Sequence, residues 1–328
     1  MMRLSTFFLL ISCMVTCCCD TIHVNAFPIA TVSTSKIRQS NLALRSGNKN
    51  QENSDLSRRE IIILALGGTA YAKVVSSAVS KIKRGDAYPE EHESKVRTVF
   101  EKTILEAAKS NDYSNRPLRV LEIGIGSNCK TAVRGFYDET LRKLSDMNLS
   151  SREIISGVEM YGIDIDPPTK EVVDLAREKL NDQQYSMPLK FQASYGDIEK
   201  GLLSFRDGFF DAITCSLVLC SVHDQQTSLK EIKRLLNPAN ACFGYVEHVA
   251  VDLDRDVGRD KSFLEWQQRT LDPLQQAVAH NCHLHRATDE EITKVFKSCE
   301  VLLQERFFVD DMWPVSCQSM GVIKVNNT

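Results

Sequence analysis

The stretch Val120-Leu121-Glu122-Ile123-Gly124-Ile125-Gly126-Ser127-Asn128 constrains this chain more than any other, because a short apolar strand runs directly into a two-glycine turn. Gly124 and Gly126 admit positive φ and let the backbone come close to a ligand, and Asn128 is the next best residue for a left-handed position. A dinucleotide fingerprint needs a third glycine three residues after Gly126, where this chain has Cys129. Glu122, just before the turn, would repel a pyrophosphate but suits a cofactor carrying an amino-acid cation, as S-adenosylmethionine does. An ordinary strand and glycine turn has the same short signature, so the flanking chain must decide.

The flanks alternate strand and helix. Lys130 to Ser145 is helix-like, Ile154 to Ile165 reads as the second strand, Thr169 to Leu180 as a helix and Leu189 to Ser194 as the third strand. The near-continuous apolar run Phe210 to Ser221 predicts a central parallel strand, followed by a helix over Gln226 to Leu236 and a strand over Ala241 to Val249. Ahead of them, Val96, Val99, Phe100, Ile104 and Ala107 share a helical face, which predicts a helix covering the sheet edge beside the glycine turn. The tail predicts a helix over Ser262 to Asn281 that Pro273 kinks or splits, a helix over Asp289 to Ser298, and a final hairpin from Val301 to Phe308 and Met320 to Val325. The pattern implies an α/β domain with a Rossmann-like, seven-stranded, mainly parallel sheet and a C-terminal antiparallel hairpin.

Open α/β sheets bind ligands at the carboxyl ends of their strands, which selects the candidate site residues. Asp164 closes the second strand, where a carboxylate can accept both ribose hydroxyls; Asp166 could substitute. It follows Glu122 by far more than the ~20 residues of a compact unit, so an insertion is expected across 132 to 156. Asp197 after the third strand can accept from an adenine amino group while Ile198 packs on the ring. Ser127, Ile165, Ser216 and Leu217 adjoin these positions and complete the expected cofactor set with Glu122, Gly124, Gly126 and Asn128. His223 and His248 follow the fourth and fifth strands and are the candidates for favouring a reactive acceptor. His280, Cys282, His283 and His285 lie close together but match no zinc pattern with a separated ligand pair, so no metal is expected.

Composition narrows the partners. With 328 residues, 43% hydrophobic and 25% charged, the chain has room for one large domain with extras. A net charge of −3 and the lack of a basic stripe argue against nucleic acid. Of the 11 cysteines, those beyond the leader are scattered and odd in number, which predicts reduced thiols.

The N-terminal part reads as targeting sequence. Arg3, the apolar run Phe7 to Val15 and Val24-Asn25-Ala26 form a signal peptide over 1–26, and 27–58 is transit-like and too polar to build a core. Segment 59–85 holds a second apolar run, Ile61 to Ala72, behind Arg58-Arg59. It reads either as a twin-arginine signal or as a helix lying on a membrane face or on the domain. The folded domain is then 86–328. The Ala26-Phe27-Pro28 junction resembles the bipartite presequences of algae whose plastids lie inside the secretory route, which implies a plastid, with a thylakoid surface as the inner destination; the secretory pathway or endoplasmic reticulum membrane is the alternative.

From Arg119 onward the chain resembles class I S-adenosylmethionine-dependent methyltransferases, within the methyltransferase-like group that methylates small alkyl thiols. The general likeness rests on 120–126, Gly162-Ile163-Asp164 and Asp211 through Pro238. The specific likeness rests on Leu217 through Val222, Glu247-His248-Val249-Ala250, Trp266-Gln267-Gln268, Leu271-Asp272-Pro273, and Cys282 with Leu284. It departs at the insertion, at Asn128, at Pro238-Ala239-Asn240 and at His283-Leu284-His285. The resemblance implies a small, apolar methyl acceptor such as an alkyl thiol. Methylation of plastid isoprenoid quinones or related lipids, and a non-catalytic cofactor-binding scaffold, are the competing readings.

Overall fold

A computed structural model describes residues 58–109, 113–150, 155–181, 185–202, 204–256 and 261–325. The chain divides into two compact units, 1–73 and 74–328. The signal-peptide reading of 1–26 and the transit-like reading up to residue 57 lie outside the described residues. The apolar run Ile61 to Ala72 falls within helix α1 (Arg58–Lys83). Among the described residues, no helix is long and apolar enough to cross a membrane.

The second unit is built on one sheet with strands β1 (Leu118–Ile123), β2 (Val158–Asp164), β3 (Leu189–Tyr195), β4 (Ala212–Ser216), β5 (Cys242–His248), β6 (Glu300–Phe308) and β7 (Cys317–Lys324). Their order is β3-β2-β1-β4-β5-β7-β6. The first five are parallel, and β7 runs antiparallel between β5 and β6. The expected α/β class with its seven-stranded, mainly parallel sheet and C-terminal hairpin is what the chain forms.

Side-chain alternation along the strands divides the core in two. Leu118, Val120, Ala212, Cys242 and Val246 face one side, where α2 (Glu90–Lys109), α4 (Asp138–Ser150) and α5 (Lys170–Asn181) pack through residues such as Phe100, Leu144 and Ala176. Leu121, Ile123, Ile213, Phe243 and Tyr245 face the other, against α6 (Gln225–Leu235) and α8 (Thr288–Val295). Glu90, Glu91 and Glu93 place negative charge in the first turn of α2, where the helix dipole favours it. Asp224 caps α6 by accepting from the Thr227 amide at 3.0 Å.

Three expectations are corrected, and a fourth, the kink or split at Pro273, is narrowed. The helix containing Val96 and Phe100 packs on a face of the sheet, over β4, β5 and β7, and not along its edge. Gly244 is the reason: a Cβ there would lie 2.0 Å from Thr103 Oγ1, so only glycine lets α2 approach β5 so closely. The region 130–145 is two helices, α3 (Lys130–Val133) and α4, parted by a turn in which Gly135 has φ 69°. The apolar run from Phe210 stays extended only to Ser216, because Leu217 takes φ 55° and turns the chain. Helix α7 (Ser262–Val278) continues through Pro273 without being split.

Candidate functional site

The glycine turn extends the pairing of β1 with β2, the amides of Gly124 and Ile125 both donating to the Ile163 carbonyl at 2.8 and 3.2 Å. Gly124 has φ 79° and Gly126 φ 74°. A Cβ on Gly124 would also meet Val218 Cγ2 at 2.2 Å, so the loop after β4 presses on the turn. Asp164 reaches across from β2: Oδ2 accepts from the Gly126 amide and Oδ1 from the Asp166 amide, each at 2.8 Å. The left-handed position expected at Asn128 falls on Cys129, with φ 46°. Asn128 instead uses Oδ1 to accept the Lys130 amide at 3.1 Å.

Glu122 lies behind the turn and is 5% exposed. Its carboxylate accepts from Tyr137 Oη at 2.6 Å and from Thr131 Oγ1 at 2.7 Å. Burial pushes its pKa up to about 7, more than those hydroxyls pull it down, and the nearby Asp164 adds to the rise. The turn between α3 and α4 brings Tyr137 to this carboxylate, which gives the insertion a positioning role that its sequence does not disclose.

Further along the strand ends, Ile165 is 66% exposed beside Asp164, while Ile198 is 5% exposed and belongs to the core. The free apolar face is therefore that of Ile165. Asp197 accepts from Lys200 Nζ at 2.9 Å and from the Glu199 amide at 3.1 Å. Burial raises its pKa, but these partners more than offset that and hold it below the usual value. Leu217 follows Ser216 and donates its amide to the Val246 carbonyl at 3.0 Å. The next three amides, of Val218, Leu219 and Cys220, all donate to the buried carboxylate of Glu247, at 2.9, 3.1 and 3.2 Å. Sequence reasoning did not single out this anchor, although Glu247 precedes the chosen His248.

The two candidate histidines diverge. His223 stands in solvent with Nδ1 3.2 Å from Glu199 Oε2. His248 is 1% exposed, and its Nε2 lies 2.6 Å from the His283 carbonyl. That contact makes Nε2 the donor and leaves the lone pair on Nδ1, while Cys282 Sγ lies beside the ring, 3.8 Å from Nδ1 and 3.9 Å from Nε2. Burial lowers the His248 pKa, but Cys282 more than offsets this and the net direction is upward. Cys220 lies beside them, so the loop after β4, the end of β5 and the chain after α7 converge. Of the clustered tail histidines, His283 Nδ1 lies 3.8 Å from Asp272 and His285 Nε2 3.3 Å from Glu265, while Cys282 turns inward. The seven cysteines among the described residues are all free of disulfides.

Helix α2 and the residues before it add groups the sequence did not flag. Tyr88 is pushed far up in pKa by burial, and Cys220 and Cys282 add to the rise. Lys130 Nζ lies 3.7 Å from the Tyr88 ring centroid and 3.4 Å from Glu93 Oε1. Its burial lowers its pKa to about 8 despite Glu93. His92, whose Nδ1 lies 2.8 Å from Gln318 Oε1, is lowered to about 4 by burial. A separate groove of about 490 Å³, bordered by Glu159, Arg177 and Lys190, lies toward the amino ends of β2 and β3, away from the glycine turn.

Residues 149–243 match the family described as "Methyltransferase domain". Over 138 residues the chain is 30% identical to the rat thiol S-methyltransferase TMT1B, a match covering 42% of this chain and 51% of that protein. Over 80 residues it is 36% identical to the human thiol S-methyltransferase TMT1A, covering 24% of this chain and 30% of that protein. The chain thus spans about half or less of the length of these relatives. The CurJ carbon methyltransferase crystal structure is 19% identical, with a TM-score of 0.43, over 70% of this chain and 54% of that one. The family match falls on β2 through the start of β5, next to the glycine turn closed by Asp164, so this part of the chain is similar to methyltransferase domains.

Proposed function

We propose that the protein transfers the methyl group of S-adenosylmethionine to a small, apolar thiol. The observation that carries this reading is the convergence of Cys220, His248 and Cys282 in a largely buried cluster at the carboxyl ends of β4 and β5, on the loop that presses Val218 onto the glycine turn. The thiol S-methyltransferases among the relatives support the same acceptor class.

When bound, the cofactor supplies a methyl group on a sulfonium, open to in-line displacement. The turn at Gly124, Gly126, Ser127 and Asn128 would receive it, with Glu122 toward its amino-acid cation and Asp164 toward its ribose. The exposed face of Ile165 would cover the adenosyl portion, which Asp197 borders with Ile198 beneath, and Ser216 and Leu217 would form the wall toward the acceptor. The residues fit the group, since the positive-φ turn opens the backbone and Ile165 offers an apolar face beside a carboxylate. On the acceptor side, Tyr88, His92 and the β4 loop exclude water, and proximity then supplies much of the rate. His248 stands on the acceptor side at the end of β5 and favours the thiolate form of the acceptor. The test is labelled-methyl transfer to a panel of alkyl thiols, quinones, phenols and sterols. Labelling of quinones or other lipids with no thiol overturns the acceptor class, and cofactor binding without any labelling favours a scaffold.

We also propose delivery to a plastid and residence at a membrane face through the segment 59–85. Support comes from the two tandem export-like runs and the basic linker between them. The mature N-terminus, read by mass spectrometry from purified organelles, tests it: a start near Phe27 retains the apolar run as an anchor, a start at Lys73 implies passage to a lumen, and an intact Met1 overturns the reading.

A further inference from the structure

Cys220, His248 and Cys282 are far apart in the chain, yet one ligand atom from each lies within 4.8 Å of the others. Cys220 is 2% and His248 1% exposed, and Cys282 is half-buried. Among the described residues, no fourth Cys, His, Asp or Glu joins them. We propose that these three side chains bind a borderline-soft divalent cation, zinc above all, and leave its fourth position open to the sulfur of the methyl acceptor. The acceptor half of this statement rests on the thiol reading above, whereas the metal half stands without it.

The ligand spacing fits. Zinc takes sulfur at ~2.3 Å and imidazole nitrogen at ~2.0 to 2.1 Å in a tetrahedron, which sets ligand atoms ~3.6 Å apart. His248 Nδ1 and Cys282 Sγ are 3.8 Å apart. The orientation fits too, because a metal-bound histidine ordinarily donates its other ring N–H to a carbonyl or carboxylate. His248 Nε2 makes this contact with the His283 carbonyl at 2.6 Å, which fixes the tautomer and leaves the Nδ1 lone pair available to a metal.

The supporting shell is also built. The His283 amide donates to the Cys220 carbonyl at 3.0 Å and Asn281 Nδ2 to the Ser221 carbonyl at 2.8 Å, so the two cysteine-bearing segments are stitched together. Arg286 Nη1 donates to the Val222 carbonyl at 2.6 Å. Gln275 Nε2 lies 3.5 Å from Cys282 Sγ. His280 and Asn281, immediately before Cys282, hold φ 51° and 61°, a strained pair that aims Cys282 inward. Glu247, the nearest carboxylate in sequence, is committed to three amides and so does not fill the fourth position.

Two thiolates balance the charge of one divalent cation, so the loaded cluster is neutral and suited to burial. Binding releases the two thiol protons to solvent. An incoming thiol would lose its proton to solvent as its sulfur takes the open position. The sulfur–methyl bond then forms with the electron pair of that sulfur, the methyl–sulfonium bond breaks onto the cofactor sulfur, and the neutral thioether departs as a weak ligand.

The test uses the full chain purified under reducing, chelator-free conditions. Elemental analysis should find about one zinc per chain, falling to background in Cys220→Ser, His248→Gln and Cys282→Ser, with Cys299→Ser unchanged. Because a cluster variant can fail to fold, cobalt is also titrated into chelator-treated wild-type protein. A tetrahedral spectrum with a thiolate charge-transfer band that shifts on adding an alkyl thiol supports the proposal. Wild-type protein that takes up neither ion stoichiometrically, or metal retained in all three variants, overturns the site. A cobalt spectrum unmoved by saturating thiol overturns the open position. Metal bound without any thiol methylation leaves the metal site intact and counts against the thiol reading.

Discussion

The Tyr137 hydroxyl donates to the Glu122 carboxylate over 2.6 Å, joining the break between α3 and α4 to the end of β1. The inserted segment thereby holds the carboxylate that lies behind the cofactor turn. It does so at a cost, since Glu122 is kept in a place that penalises its charge.

That cost predicts a pH dependence. The folded protein holds the Glu122 proton up to about pH 7, whereas the unfolded chain releases it near the ordinary 4.5. Between those values the folded state binds more protons, so stability falls as pH rises through the window and stays low above it. The contribution is about 3 kcal/mol at most. Glu122→Gln should flatten this slope and stabilise the cofactor-free protein at pH 8, as read by urea unfolding at pH 5 and pH 8. A parallel slope in the variant would count against it.

Gly124→Ala meets two obstacles, positive φ and Val218. The backbone part alone costs about 1 to 2 kcal/mol, and the 2.2 Å approach to Val218 Cγ2 adds to it. Adding Val218→Ala should recover the steric part and leave the backbone part. Thermal unfolding of the two single variants and the double variant separates them, and strictly additive losses would show that Val218 does not press on the turn.

Asp164→Ala should weaken cofactor binding about 10- to 100-fold, since charge-assisted hydrogen bonds contribute about 1.5 to 3 kcal/mol each. Asp166→Ala should bind nearly as the parent does, because in this structure it is Asp164 that faces the Gly126 amide. Calorimetry decides, and the reverse order of effects would move the ribose contact to Asp166.

Arg116 forms a two-point pair with the fully buried Asp211, at 2.7 and 2.8 Å. Arg116→Ala should cost about 3 kcal/mol, because it strands a buried carboxylate. Asn237 and the Arg119 amide still donate to that carboxylate. Arg116→Ala combined with Asp211→Asn should regain part of the loss in denaturant unfolding. A double variant as unstable as the sum of both singles would contradict this.

The sheet was legible because four of the five parallel strands, all but β3, lead into a helix, and alternation along β1, β4 and β5 sorts residues to two faces. Tertiary partners hid the rest. Nothing in Leu217 to Ser221 differs from a buried strand, yet Glu247, from another strand, takes up the amides that would have continued the ladder. Gly244 in a strand interior was a readable sign of close helix approach. Asp164 and Glu122 follow from their places beside the turn, but the gathering of Cys220, His248 and Cys282 depends on three crossings that no local spacing records.

β7 pairs with β5 in continuous register from Cys242 with Lys324 to His248 with Gln318. The strand that borders the proposed acceptor pocket therefore keeps an open edge until residues 317–324 have left the ribosome. Closure of the sheet depends on a late, long-range contact, which slows folding and leaves unpaired backbone N–H and C=O groups open to wrong partners in the meantime. A ribosome-bound chain arrested before residue 317 should accordingly depend on chaperones and be cut readily by proteases across 242–248, even though the cofactor half of the sheet has already been synthesised.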